Sequence, residues 1–225
     1  MPAYIRHMRK ALLVAACLLA VLNTAAESMD QQTLVYLLKP MATLALVAIV
    51  LTTRRAARYR TWIAAGLSAG LAGDILLMLP QSQMFVPGLV AFLLGHLCYI
   101  AAFSTDGGGW KTPLIPAIPV AAAALVVLSY LWPSLGPMRV PVAAYVSVIS
   151  AMSWQAIARW SVRRTPGALL AALGSIAFMM SDSSLAINRF VAPFVGASLV
   201  IHATYYAAQW GLALSVKDDS RSPAS

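Results

Sequence analysis

Three ionisable side chains interrupt otherwise apolar stretches of this sequence: Lys39, Asp74 and Asp182. A charge at the middle of a bilayer costs about 3 kcal/mol on insertion scales, so such residues usually face the interior of a helix bundle and mark its function. Carboxylic acids held away from water suit proton transfer, either to a bound substrate or along a transport path. The plain alternatives are a helix-packing hydrogen bond, or a salt bridge between an aspartate and Lys39. Lys39 also precedes Pro40, and near a helix end its ammonium could simply snorkel to the interface.

Polar residues recur around the aspartates at helical spacing. Phe92, His96 and Tyr99 fall on one face, and Ser198, His202, Tyr205 and Gln209 on another. Gly66, Gly70 and Gly73 lie on or beside the face that carries Asp74, while Ala171 and Ser175 lie below Phe178 and Asp182. Small residues there let helices approach closely. Asp74 is followed by His96-Leu-Cys-Tyr99 and Asp182 by His202-Ala-Thr-Tyr205, at offsets of 108, 106 and 106 residues. The pattern suggests two parallel four-helix repeats. Lys39 moved by 108 residues falls on Ser147, so the base has no duplicate. No His-x-x-x-His or Glu-x-x-His pair accompanies the carboxylates, so neither a metal nor another cofactor is expected. Gly107–Gly109 lacks the helix entry that a phosphate loop needs.

The elements that must position these residues follow from hydropathy. The chain has 225 residues, 60% hydrophobic and 10% charged, where soluble domains carry roughly 25% charged residues. Its apolar runs predict an all-α integral membrane bundle of about eight transmembrane helices. The spans are placed near 10–26, 33–52, 62–79, 83–103, 112–132, 140–160, 168–187 and 193–216. Residues 1–216 then form one transmembrane domain, and 217–225 a short polar cytoplasmic tail. Connecting segments have loop chemistry at Arg54–Arg55, Asp106–Gly109 and Pro133–Gly136.

The net charge of +9 is spread in short clusters between apolar runs and forms no single basic face, which argues against a nucleic-acid partner. With the N-terminus in the cytoplasm, thirteen Lys and Arg lie on the cytoplasmic side and two, Arg139 and Arg189, on the other. That bias predicts two cytoplasmic termini. The alanine-rich, arginine-biased composition suggests a bacterial inner membrane. Arg6–Lys10, the following apolar run and Thr24–Ala26 also resemble a secretory signal, whose cleavage would leave seven spans. Cys17 and Cys98 lie inside apolar runs and read as small hydrophobes. Trp62, Trp110, Trp132, Trp160 and Trp210 near span ends read as interfacial anchors. On this topology Lys39, Asp74 and Asp182 all lie roughly 8 Å below the outer boundary and could share one cavity.

The sequence resembles the YhhN-like lysoplasmalogenase family of multispanning membrane hydrolases. The resemblance is carried by Lys39-Pro40, Gly73-Asp74-Ile-Leu-Leu-Met, His96-Leu-Cys-Tyr99, Ser181-Asp182-Ser-Ser-Leu-Ala-Ile-Asn188-Arg-Phe190 and Tyr205-Tyr206-Ala-Ala-Gln209. It covers most of residues 33–215; His202 is not part of it, and spans one, five and six carry little. It implies hydrolysis of the vinyl ether of a lysophospholipid substrate drawn from the membrane lipids, releasing a fatty aldehyde and a glycerophospho-head group. A vinyl ether becomes electrophilic only when its carbon is protonated, giving an oxocarbenium ion that water captures. Glycosidases meet the same demand with two carboxyl groups in different environments. Asp74 and Asp182 are the implied catalytic pair, in an order the sequence leaves open. Lys39 would hold one of them ionised or bind the lipid phosphate, and His96, Tyr99, Asn188, Tyr205 and Gln209 are the implied substrate-binding residues. Asn188 has a second reading as a cap after span seven. The alternative function is a proton-coupled transporter or lipid carrier using the same two aspartates. Oligomeric state is not legible in the sequence.

Overall fold

A computed structural model describes residues 3–53, 57–105 and 113–216. Each apolar run becomes a helix: α1 (Ala3–Ser28), α2 (Gln32–Leu51), α3 (Ala57–Met78), α4 (Phe85–Ser104), α5 (Ala117–Leu131), α6 (Arg139–Arg163), α7 (Pro166–Phe190) and α8 (Ala197–Leu214). No strand occurs among the described residues, so the all-α expectation holds. Arg54–Arg55, Asp106–Gly109, Trp110, Lys111 and the tail 217–225 lie outside the described residues.

Helix ends follow local chemistry. Thr165 caps α7, its Oγ1 accepting from the amide of Ala168 at 3.2 Å with Pro166 in the first turn. The Pro- and Gly-rich link after α5 winds into two short 3-10 turns, Trp132–Ser134 and Gly136–Met138. Seven helices are long and apolar enough to cross a membrane. The exception among the eight is α8, whose apolar character is diluted by His202, Tyr205, Tyr206 and Gln209. All four are buried, so the helix turns its polar stripe inward.

Within lipid, association rests on close packing and polar contacts more than on hydrophobic transfer. The glycines show where the backbones meet. A Cβ on Gly95 of α4 would lie 3.0 Å from the Gly66 carbonyl oxygen of α3. A Cβ on Gly211 of α8 would lie 2.7 Å from the Gly174 Cα and 2.8 Å from the Leu170 oxygen of α7. Backbone cannot step aside as a side chain can. Gly211→Ala is therefore expected to cost about 1–3 kcal/mol, as overpacking does, and thermal unfolding in detergent should show a lower Tm. An unchanged Tm would mean that α7 and α8 separate freely there.

The tightest pairs are α3 with α4 and α7 with α8. α1 packs on α2 and α8, α6 bridges α4 and α7, and α5 sits at the edge on α6. The Tyr36 hydroxyl ties α2 to the end of α3 by donating to the Met78 carbonyl at 2.8 Å. Arg58 and Arg60 begin α3, and Arg159 and Arg163 end α6. They lie at the end of the bundle opposite Asp74 and Asp182, which sit in the later turns of α3 and α7.

Candidate active site

A cavity of about 1000 Å³ runs between the helices and is walled by Lys39, Asp74, Asp182 and Tyr205. Asp74 is fully sheltered in α3 and receives two partners. Lys39 of α2 places its Nζ 3.1 Å from Oδ1, with the two side chains 13% and 2% exposed. Tyr205 of α8 donates its hydroxyl to Oδ2, and Gln209, one turn along α8, donates its Nε2 to the Tyr205 hydroxyl. The Lys39 ammonium also stands 5.3 Å from the centre of the Tyr205 ring, where the negative face of the ring attracts it. The result is a chain from Gln209 through Tyr205 to an ion pair, drawn from three helices.

Asp182 of α7 is held differently. Tyr145 of α6 donates its hydroxyl to Oδ2 at 2.5 Å, and no cation pairs with Asp182 among the described residues. One carboxylate thus faces an ammonium and the other a neutral phenol. Phe92, Phe178 and Tyr205 stand edge to face with one another, with ring centres 5.8–6.4 Å apart.

Of the remaining residues expected at the site, Asn188 reaches the cavity wall. It also accepts from the Phe194 amide at 3.4 Å, closing the turn after α7. His96, Tyr99 and Gln209 do not line the cavity and form a layer behind it. The His96 ring lies 4.8 Å from Phe178 and 5.3 Å from Tyr145, centre to centre, and neither of its nitrogens has a partner among the described residues. The Tyr99 ring packs against Gly66, leaving no room for a Cβ there.

Beyond the charged end the wall turns apolar, with Val120, Ala124, Leu131, Val142, Ile149 and Ile176. Pro119 and Ala123 of α5, and Ile176 and Met180 of α7, both line the cavity and are exposed. The cavity therefore reaches the side of the bundle. A slot that is polar at one end, apolar along its length and open laterally matches an amphipathic, single-chain ligand.

The YhhN family model matches residues 34–216. The chain belongs to the YhhN family. Among relatives of this family member, Lysoplasmalogenase TMEM86A of Bos taurus is 32% identical over 173 residues, 72% of this chain and 68% of its own length. Lysoplasmalogenase TMEM86B of Homo sapiens is 33% identical over 179 residues, 80% and 74% of the two chains. Lysoplasmalogenase of Mycobacterium tuberculosis is 34% identical over 160 residues, 68% and 59%. No solved structure matches the chain. The YhhN match begins after α1, yet α1 supplies Glu27 to the cavity wall.

Tyr145, Glu27 and Arg189 are cavity residues to which the sequence pattern gave no site role. Tyr145 had one available signal. It lies 106 residues after Lys39, the offset of both the histidine and the tyrosine pairs. Its hydroxyl engages Asp182 from the preceding helix, as the Lys39 ammonium engages Asp74.

Proposed function

We propose that this YhhN-family chain is a membrane hydrolase that cleaves the vinyl ether of lysoplasmalogens, with Asp182 as the acid and Asp74 as the stabilising carboxylate. The observation that carries the assignment is the unequal company of the two carboxyl groups within one cavity. Asp74 is ion-paired with Lys39, so it offers a fixed negative charge. Asp182 has only the Tyr145 phenol, which occupies Oδ2 and leaves Oδ1 to carry a proton. The names of the relatives support the same chemistry.

The reaction consumes one water and returns the acid to its protonated form. Asp182 gives its proton to the alkenyl carbon that becomes C2 of the aldehyde, and the oxygen-bound carbon becomes an oxocarbenium ion. Asp74 stabilises that cation, as a second carboxylate does in glycoside cleavage. Water adds to the cation and returns a proton to Asp182. The hemiacetal then collapses, breaking the bond to the glycerol oxygen and releasing a fatty aldehyde and the glycerophospho-head group. The lipid tail lies in the apolar slot, entering beside α5. Arg189 binds the phosphate. It lines the cavity and is exposed, its guanidinium rests 3.9 Å from the centre of the Phe85 ring, and no carboxylate pairs with it among the described residues. The charged end faces outward and the arginine-rich end inward in a cell inner membrane, consistent with the side preference of basic residues.

The test is aldehyde release from lysoplasmenylethanolamine by the purified protein in detergent, carried out in heavy water. The expected product carries one deuterium at C2. Well-folded protein that releases no aldehyde overturns the proposal, and aldehyde without deuterium at C2 overturns the acid step. Tyr145→Phe is expected to lower kcat about 10-fold to 100-fold with little change in KM, because the phenol acts by orienting the acid through its bond to Asp182. A rise in KM with unchanged kcat would instead make Tyr145 part of the binding wall.

A further inference from the structure

Glu27 lies in the last turn of α1, one residue from the helix end, and lines the cavity half-buried. It is fastened through one oxygen only. Its Oε1 lies 3.1 Å from His202 Nε2, and His202 Nδ1 lies 2.8 Å from the Ser198 carbonyl oxygen. With the ring nitrogens set between a carbonyl and a carboxylate, the imidazole has one orientation and fixes Glu27 in turn. No other hydrogen bond reaches Glu27 among the described residues, so Oε2 is available to a ligand. The other carboxylates on the wall are engaged, Asp74 by Lys39 and Tyr205 and Asp182 by Tyr145.

Depth separates their tasks. Asp74 lies four residues and Asp182 eight residues from the ends of their helices, about 6 Å and 12 Å along the axis. Glu27 and Arg189 each lie one residue from a helix end. Glu27 and Arg189 thus leave the backbone nearer the helix ends than the aspartates do, and both line the cavity that the aspartates share. One is anionic and the other cationic, which is the polarity of a zwitterion.

We infer that Glu27 is a specificity-determining residue that receives the ammonium of an amine-bearing head group, so that the site prefers ethanolamine or choline lysophospholipids to those ending in a bare phosphate. This rests on the proposed lysoplasmalogen chemistry for the surrounding site. A charge-assisted contact in a partly desolvated mouth discriminates where one in open water does not.

The test uses the full chain in detergent and equilibrium binding of saturated 1-O-alkyl lysolipids, which contain no vinyl ether to cleave. The probes carry ethanolamine, choline or a bare phosphate. The parent protein should bind the amine-bearing lipids about tenfold more tightly. Glu27→Gln should bring that ratio close to one by weakening the binding of the amine-bearing lipids. Equal affinities in the parent overturn the inference, and so does a variant that loses both ligands alike, because that marks a merely structural pair with His202. If Glu27→Gln does not fold, Glu27→Asp carries the test: it keeps the charge but withdraws it by one methylene, so the ratio should fall severalfold. A ratio unmoved by Glu27→Asp in that case overturns the inference. Discrimination without aldehyde release from vinyl ether lipids keeps the inference and removes the proposed function. Aldehyde release with equal binding of the head groups does the reverse.

Discussion

Asp182→Asn is expected to lower kcat for aldehyde release by about 10³-fold, the middle of the range for loss of a general acid. Asparagine keeps the size of the side chain and an oxygen to accept from the Tyr145 hydroxyl, which reaches Asp182 at 2.5 Å. The local packing should therefore survive. What is lost is the proton that must reach the alkenyl carbon. Binding of the saturated ether lipid should stay within a few-fold of the parent, since that lipid needs no protonation. The measurement is a pair of values, kcat with the vinyl ether and Kd with its saturated analogue. A variant that keeps a tenth or more of the parental kcat would assign protonation to another group. One that loses binding as severely as turnover would make Asp182 a binding residue.

The bundle was legible because lipid imposes a simple grammar. Backbone groups must be satisfied within each segment, so a run of about 20 apolar residues has few options besides a helix. The expected spans and observed helices agree in number and order, and differ at their ends. α7 extends to Phe190 and α6 to Arg163, each about three residues beyond its expected span, while α5 begins at Ala117 rather than 112. Pro116 precedes α5 and Pro166 opens α7, and both are local features that hydropathy averages away. The weakest membrane candidate, α8, was readable for another reason. Its polar residues recur at intervals of three and four, which predicts one inward face whatever the mean hydropathy.

At the site, legibility followed charge. Lys39, Asp74 and Asp182 stood out because their burial is costly without a purpose, and the structure sets all three on one cavity wall. Tyr145 did not stand out. A phenol in an apolar span looks like ordinary packing, and only its 106-residue separation from Lys39 hinted at more. Glu27 was hidden by position: at the last turn of α1 a glutamate resembles a solvated helix end. Its contact with His202 joins the two ends of the chain, and no spacing rule connects residues so far apart. The same holds for Tyr205 and Asp74, whose bond links α8 to α3.

The Lys39–Asp74 pair can separate stability from catalysis. Lys39→Met should destabilise the fold by about 3 kcal/mol, because it leaves a sheltered carboxylate without its cation. The partners are only 13% and 2% exposed, so water cannot readily replace the missing ammonium. Asp74→Asn should be harmful for the complementary reason, stranding the lysine. The double variant Lys39→Met/Asp74→Asn removes both charges and should recover most of the lost stability, since a buried pair is often neutral against an uncharged replacement. It should not recover activity. The oxocarbenium ion would meet a neutral amide where the parent offers a carboxylate, and Tyr205 would donate to that amide instead of to an anion. Thermal unfolding and aldehyde release on all four proteins give the cycle. Coupling in stability without coupling in activity would show that the ion pair has two separable roles, holding α2 to α3 and presenting negative charge to the cavity. An active double variant would remove Asp74 from the chemistry and leave the pair as a helix clasp.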